Sequence, residues 1–170
     1  MLFSDHGEDL AGWYPDDHGG PCGHPEENGH GTLLFDVTQL VPLIICDPGQ
    51  SSSVRLVPHQ VRLIDIMPTV IDLLGLPETT VEGTSLRSLL RGGDSRDRAA
   101  YCEAFYREEL AAIDPEWAHL TPLQAVRLGS SKIIWEYGGD AVYHYDLALD
   151  PAEQSPHTLS RNWIVDGPLD

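Results

Sequence analysis

The 170-residue chain has the size of a single domain, and its 41% apolar content is enough to bury a core. Its net charge of −17 arises from 27 acidic residues against nine arginines and one lysine, which excludes nucleic acids and anionic membranes as good partners. No apolar run reaches the roughly 18 residues of a membrane span, and the first residues lack a signal-peptide pattern. If Met1 is the native start, we expect a cytoplasmic protein.

The N-terminal part of the chain reads as two buried strands on either side of a long loop. Leu2 and Phe3 resemble the end of one strand, and residues 41–46 are predicted to form the other. Residues 7–31 form the loop, which is rich in glycine, proline, acids and histidine, and loops of this length tend to be functional. A short helix is predicted within residues 32–40.

The strongest helix signal follows Asp65, which is a good N-cap residue. Pro68 fits the first turn of such a helix, and Gly75 is well placed to end it. The predicted apolar face consists of Ile66, Met67, Val70, Ile71, Leu73 and Leu74. Residues 83–90 are predicted to form a second, short helical segment.

Beyond residue 98 the apolar pattern alternates, as in strands. Four strands are predicted, at residues 100–106, 124–128, 132–137 and 141–147. The sequence Gly138-Gly139-Asp140 suits a tight hairpin between the last two. We therefore predict an α/β fold followed by a small C-terminal antiparallel sheet. The charged connection at residues 91–98 predicts a division into residues 1–98 and 99–170.

A candidate metal pair, Asp5 and His6, directly follows the first predicted strand. Neighbouring side chains of a strand point to opposite sides, so both can reach one ion only where the chain turns, and Gly7 makes that turn easy. Carboxylate oxygen suits Ca²⁺, Mg²⁺ or Mn²⁺, whereas imidazole shifts the preference toward Mn²⁺ or Zn²⁺. The alternative is a solvated strand end with a capping carboxylate.

The loop adds further candidate ligands. They are His18, His24, His30, Asp16, Asp17, Glu26, Glu27 and Cys22. A rival zinc site would use Cys22, His24 and His30, although Cys-x-His followed by one later histidine is not an established zinc spacing.

Several motifs follow one another over about residues 1–153. They are Ser4-Asp5-His6-Gly7-Glu8, His18-Gly19-Gly20, Gly29-His30-Gly31-Thr32, Val41-Pro42-Leu43-Ile44-Ile45, residues 61–77, Gly83-Thr84-Ser85-Leu86, and Tyr145-Asp146-Leu147 with Asp150-Pro151-Ala152-Glu153. In this order they resemble the second half of a sulfatase, a family of the alkaline phosphatase superfamily. The resemblance implies a partial alkaline-phosphatase-like sheet with helices before the small C-terminal sheet.

The resemblance also implies roles for individual residues. Asp5 and His6 match the pair that ligates the catalytic divalent cation, which is usually Ca²⁺, with Mn²⁺, Mg²⁺ and Zn²⁺ as alternatives. His30 matches a histidine or lysine that meets the sulfate or its leaving oxygen. His18 matches a second loop histidine of the catalytic site. The family's nucleophile motif, Cys/Ser-x-Pro-x-Arg, does not occur in these 170 residues.

We therefore predict a sulfatase-like, metal-dependent hydrolase that acts on a sulfate ester of a small molecule or glycan. We expect the chain to be a fragment that is inactive or nearly so by itself and associates with a missing N-terminal half. One alternative is a phosphodiester or phosphonate monoester hydrolase of the same superfamily. The other is a non-catalytic domain that binds metal or a protein partner.

Overall fold

The computed structural model describes residues 1–10, 29–47, 54–77, 79–93, 96–105, 112–113 and 122–160. The described elements are β1 (Leu2–Phe3), α1 (Asp36–Gln39), β2 (Leu43–Ile44), a 3₁₀ turn (Leu63–Asp65), α2 (Ile66–Leu73), α3 (Arg87–Leu90), β3 (Ala100–Ala104), β4 (Leu123–Leu128), β5 (Ser131–Glu136), β6 (Val142–Asp146) and β7 (His157–Leu159). None of the helices in these ranges is long and apolar enough to cross a bilayer.

The C-terminal strands form a five-stranded sheet in the order β3-β4-β5-β6-β7, in which every described neighbour is antiparallel. The prediction of a small antiparallel sheet after the α/β part is confirmed, and the four predicted strands correspond to β3 to β6. Gly138 adopts a φ of 75° in the β5–β6 hairpin, a conformation that glycine reaches without strain. Strand β7 was not among the predicted strands.

One face of this sheet carries the hydrophobic core. The pairing of Ala125 with Ile134, and of Ile134 with Tyr143, places these three side chains on the same face, because directly paired residues of a sheet share a face. Leu34, from the segment before α1, packs into the same core. Phe35 meets the ring of Tyr145 edge to face, with centroids 5.9 Å apart. The N-terminal part of the chain is therefore anchored on the C-terminal sheet just before α1.

Strands β1 and β2 pair antiparallel, Leu2 with Ile44 and Phe3 with Leu43. The prediction of two buried strands is wrong for this part of the chain, since Ile44 is 61% exposed and both residues of β1 are exposed as well. Each strand has two residues, and among the described residues the two strands pair only with each other.

Helix α2 follows the 3₁₀ turn and ends as predicted. The N–H groups of Gly75 and Leu76 donate to the carbonyls of Asp72 and Ile71, and Gly75 has a φ of 62°. This is the Schellman arrangement that satisfies the last carbonyls of a helix. The predicted N-cap role of Asp65 is wrong, because Asp65 lies inside the 3₁₀ turn with helical φ and ψ and caps no N–H of α2.

The carboxylate of Asp65 instead forms a buried ionic cluster. Its oxygens accept hydrogen bonds from the Arg62 guanidinium at 2.9 Å and from the Thr84 N–H at 2.8 Å, and Arg98 lies 3.5 Å away. The pKa of Asp65 is pushed upward by burial, but the hydrogen bonds from Arg62 and Thr84 outweigh this and hold it below its usual value. The cluster connects the start of α2 to residues 84 and 98.

Candidate metal and substrate site

Backbone hydrogen bonds close the base of the long loop. The N–H of Gly7 donates to the carbonyl of Thr38 at 2.8 Å, and the N–H of Asp9 donates to that of Gly29 at 2.7 Å. A side chain at position 7 would clash with the Val37 carbonyl oxygen, so glycine is required for this close approach. The first contact places Gly7 beside α1, and the second places Asp9 beside Gly29.

Asp5 and His6 lie where β1 gives way to this loop base. Asp5 Oδ1 and His6 Nε2 are 3.9 Å apart, a separation that two ligands of one ion at about 2.0–2.5 Å can span. The Asp5 carboxylate is 85% exposed, so it is accessible to an ion from solvent. The residues therefore fit a shared divalent cation, with one hard oxygen and one imidazole nitrogen.

The tautomer of His6 follows from a single contact. His6 Nδ1 lies 2.8 Å from the carbonyl oxygen of Gly7, which can only accept a hydrogen bond. Nδ1 must therefore carry a proton, and in the neutral ring Nε2 holds the lone pair. Metal-binding histidines are commonly oriented in this way by a backbone carbonyl.

His30 lies against His6 at the other side of the loop base. The two rings stack with centroids 3.7 Å apart and an interplanar angle of 19°. His30 Nδ1 is 2.8 Å from a carboxylate oxygen of Glu8. One ligand atom each from His6, Glu8 and His30 can be chosen so that all three lie within 4.8 Å of one another.

The structure thus brings together Asp5, His6 and His30, three of the four predicted site residues. The fourth, His18, lies outside the described residues, as do Cys22 and His24 of the rival zinc site. The roles assigned to these residues stay predictions. Sequence reasoning missed Glu8, although Glu8 belongs to the same motif as Asp5 and His6.

A second polar cluster is separate from this loop. Asp72 accepts a hydrogen bond from Ser85 at 2.6 Å and a charged one from Arg87 at 2.6 Å. These hydrogen bonds hold the pKa of Asp72 below its usual value. The contacts tie α2 to the segment at the start of α3, and Asp72 and Arg87 also line an open surface depression.

Comparison with known proteins first defines the class. No protein-family model matches the chain. The structure is similar to the phosphonate monoester hydrolase of Agrobacterium radiobacter, with a TM-score of 0.66 and 25% identity over 97% of this chain and 32% of that one. It is also similar to a 2-O GAG sulfatase, with a TM-score of 0.64 and 22% identity over 96% of this chain and 32% of that one. The fold is that of the alkaline phosphatase superfamily.

The sequence itself matches one named sulfatase. The chain is 28% identical to arylsulfatase K of Mus musculus over 124 residues, which cover 71% of this chain and 22% of that protein. Over this stretch the chain is homologous to a sulfatase. It spans about a fifth of the length of this relative and about a third of each similar structure.

Proposed function

We propose that this chain supplies the metal pair and a leaving-group residue of a metal-dependent sulfuric ester hydrolase. In this proposal Asp5 and His6 hold a divalent cation, Ca²⁺ first, and His30 faces the ester oxygen. The single observation that carries the proposal is the position of His6, whose ring stacks on His30 at 3.7 Å and whose Nε2 lies 3.9 Å from Asp5. Metal ligands and an imidazole are then adjacent, as sulfuryl transfer requires.

The chemistry follows from the groups that are present. A cation held by Asp5 and His6 would neutralise charge on the transferring sulfuryl group. Because Glu8 holds His30 by Nδ1, the Nε2 atom is left to meet the substrate. In its protonated form the ring can donate from Nε2 to the departing alkoxide, and an imidazole does this near neutral pH. His18 is the second proposed catalytic histidine.

The proposed substrate is a sulfate ester of a small molecule or a glycan. Its support is the similarity to an arylsulfatase and to a 2-O GAG sulfatase. We further propose that the nucleophile comes from polypeptide outside these 170 residues, which contain no Cys/Ser-x-Pro-x-Arg motif. The exposed apolar residues of β1, β2 and α2 are the proposed surface for that polypeptide.

The proposal is tested by titrating the 170-residue chain with inorganic sulfate in the presence of Ca²⁺ while the imidazole signals of its histidines are followed by NMR. We expect the His30 signals to shift in wild type, and this response to be lost in Asp5→Asn and His6→Ala. His144, on β6, serves as the internal control and should not respond. A His30 signal that stays unchanged at tens of millimolar sulfate contradicts the proposed substrate role.

Catalysis is measured separately on the same chain. We expect it to hydrolyse p-nitrophenyl sulfate no faster than a His30→Ala variant, because the nucleophile motif is absent from its sequence. Turnover by wild type that His30→Ala removes and His144→Ala leaves intact would support the hydrolase but contradict the need for an external nucleophile.

A second candidate function is phosphonate monoester hydrolysis. It is favoured by the similarity to the phosphonate monoester hydrolase, which extends over 97% of this chain. Sulfuryl and phosphoryl transfer need similar placement of metal and imidazole. Two further NMR titrations, one with phenylphosphonate and one with phenyl sulfate, separate the two candidates. Tighter binding of phenylphosphonate would favour the phosphonate enzyme.

A further inference from the structure

We propose that His6, Glu8 and His30 together form a binding site for a first-row transition metal ion such as Zn²⁺. This ligand set differs from the Asp5–His6 pair and goes beyond the proposed function. It uses the residue that sequence reasoning missed, Glu8, and it excludes Asp5. Occupation of this site takes His30 away from a substrate, so the ion is an inhibitor of the proposed hydrolase rather than its cofactor.

The distances permit such a site. A ring nitrogen from each histidine and a carboxylate oxygen of Glu8 all lie within 4.8 Å of one another. Ligands of one Zn²⁺ ion lie at about 2.0–2.2 Å from it, so they are at most about 4.4 Å apart. In the tetrahedral geometry that Zn²⁺ prefers, such ligands lie about 3.4 Å apart, so a pair at the 4.8 Å limit must approach by about 1.4 Å, which calls for side-chain rotation.

Several contacts hold the backbone and the side chains of this site in place before an ion binds. Gly7 O fixes the His6 tautomer with the lone pair on Nε2, and the contact between Glu8 and His30 holds both side chains at 2.8 Å. The backbone under them is fixed by the Gly7–Thr38 and Asp9–Gly29 hydrogen bonds. The backbone is therefore set, whereas the His6 and His30 rings must turn out of their stacked arrangement, at 3.7 Å and 19°, before both lone pairs point at one ion.

The donor set predicts which ion is preferred. Two imidazole nitrogens with one carboxylate oxygen favour Zn²⁺, Co²⁺ or Mn²⁺, whereas Ca²⁺ takes six to eight oxygen ligands. The three side chains are half-buried or exposed, so an ion has direct access, and solvent water completes its coordination. The acidic character of the chain adds a general attraction for cations.

The test is Co²⁺ binding to the 170-residue chain, followed by the visible absorption of Co²⁺ and by Zn²⁺ competition. We expect Glu8→Gln and His30→Ala each to weaken binding at least about tenfold, as loss of a ligand or of its oriented partner does. Asp5→Asn should bind within about twofold of wild type. His144→Ala is the matched control for removal of a histidine elsewhere, and circular dichroism confirms that each variant is folded.

Three outcomes would overturn the proposal. Loss of Co²⁺ binding in Asp5→Asn with retention in Glu8→Gln would assign the ion to the Asp5–His6 pair. Loss in Cys22→Ser or His24→Ala would assign it to the rival loop site. Tighter binding of Ca²⁺ than of Zn²⁺ would contradict the donor chemistry. The sulfate titration uses Ca²⁺, whereas the test of this site uses Co²⁺ and Zn²⁺. Either experiment can therefore fail without the other.

Discussion

The ammonium of Lys132 lies 2.7 Å from a carboxylate oxygen of Glu153, and both side chains are buried. Lys132 also contacts Asp36 at 2.9 Å, and the second Glu153 oxygen accepts the Asp36 N–H at 2.5 Å. These contacts join β5, the start of α1 and the segment after β6. Burial raises the pKa of the Glu153 carboxyl, although the Lys132 ammonium opposes the shift.

Lys132→Met should therefore be strongly destabilising. Removing Lys132 leaves the buried Glu153 carboxylate without its cation, and we expect the free energy of unfolding to fall by about 3–5 kcal/mol. Urea denaturation measures the change. Arg91→Met, which removes an exposed cation at the end of α3, is the control and should change stability by less than about 0.5 kcal/mol.

A double variant checks the cause of that loss. Lys132→Met with Glu153→Gln removes the buried charge together with its partner, so part of the stability should return. The loss of unfolding free energy in the double variant is compared with the losses in Lys132→Met and Glu153→Gln alone. If it equals their sum, the two residues are not coupled and the ionic explanation is wrong.

The lowered pKa of Asp65 predicts that the fold loses stability at low pH. Its folded-state pKa is lowered, so between that value and the unfolded value near 3.9 the unfolded chain binds more protons. The stabilisation is present above about pH 4 and is lost as the pH falls through the folded-state pKa. We expect Asp65→Asn to cost about 3 kcal/mol at pH 7, and this difference from wild type to shrink below pH 4. A difference that is constant from pH 7 to pH 2 would contradict the prediction.

The hydroxyl of Thr69 connects α2 to the segment before α3. It donates to the Asp65 carbonyl at 2.5 Å and accepts the Leu86 N–H at 2.9 Å in a buried position. Thr69→Val keeps the volume but leaves that N–H without a partner, so we expect a loss of about 1–3 kcal/mol in urea denaturation. Thr69→Ser keeps the hydroxyl and should lose less. If serine is the worse replacement, packing of the methyl group dominates.

Two glycines with a positive φ allow backbone strain to be compared with a steric clash. Gly83 has a φ of 86° and an added Cβ would clash with the Ile64 carbonyl, whereas Gly75 has a φ of 62° and open space around it. Gly75→Ala should cost about 1 kcal/mol from the left-handed conformation alone. Gly83→Ala should cost about 1–3 kcal/mol more, because the neighbouring backbone must move. Equal losses would show that the contact with Ile64 is unimportant.

The parts of this fold that could be predicted from sequence are those set by local pattern. Period-two alternation placed four strands of the C-terminal sheet within one or two residues, and Gly75 marked the end of α2. Strand β7 has three residues, which are too few to show an alternating pattern. Asp65 looked like an N-cap because the pattern could not show that Arg62 and Arg98 would bury its carboxylate.

Fewer contacts of the candidate site could be predicted from the sequence. The contact between Glu8 and His30 spans 22 positions and depends on the closing of a long loop, which no local periodicity encodes. The grouping of His6 with His30 followed from resemblance to a family. The burial expected for Leu2, Phe3 and Ile44 followed from their apolar character, but burial needs a covering layer, and the described residues supply none.

The α2 surface, which consists of Leu63, Ile64, Met67 and Leu74, leads to a last prediction. Met67 is 60% exposed, although the sequence predicts it on the buried face of the helix, and residues three or four apart such as Leu63, Ile64 and Met67 are neighbours on a helix. Exposed apolar clusters bind hydrophobic dyes and promote association.

We expect Ile64→Thr with Met67→Lys to lower both dye fluorescence and self-association in size-exclusion chromatography. Stability should change by less than about 1 kcal/mol, since little buried area is lost. Leu149→Lys, at an exposed turn away from α2, is the control and should leave dye binding unchanged. Unfolding of the α2 variant would instead mean that this chain buries the surface itself, and the proposed docking of further polypeptide on α2 would then be wrong.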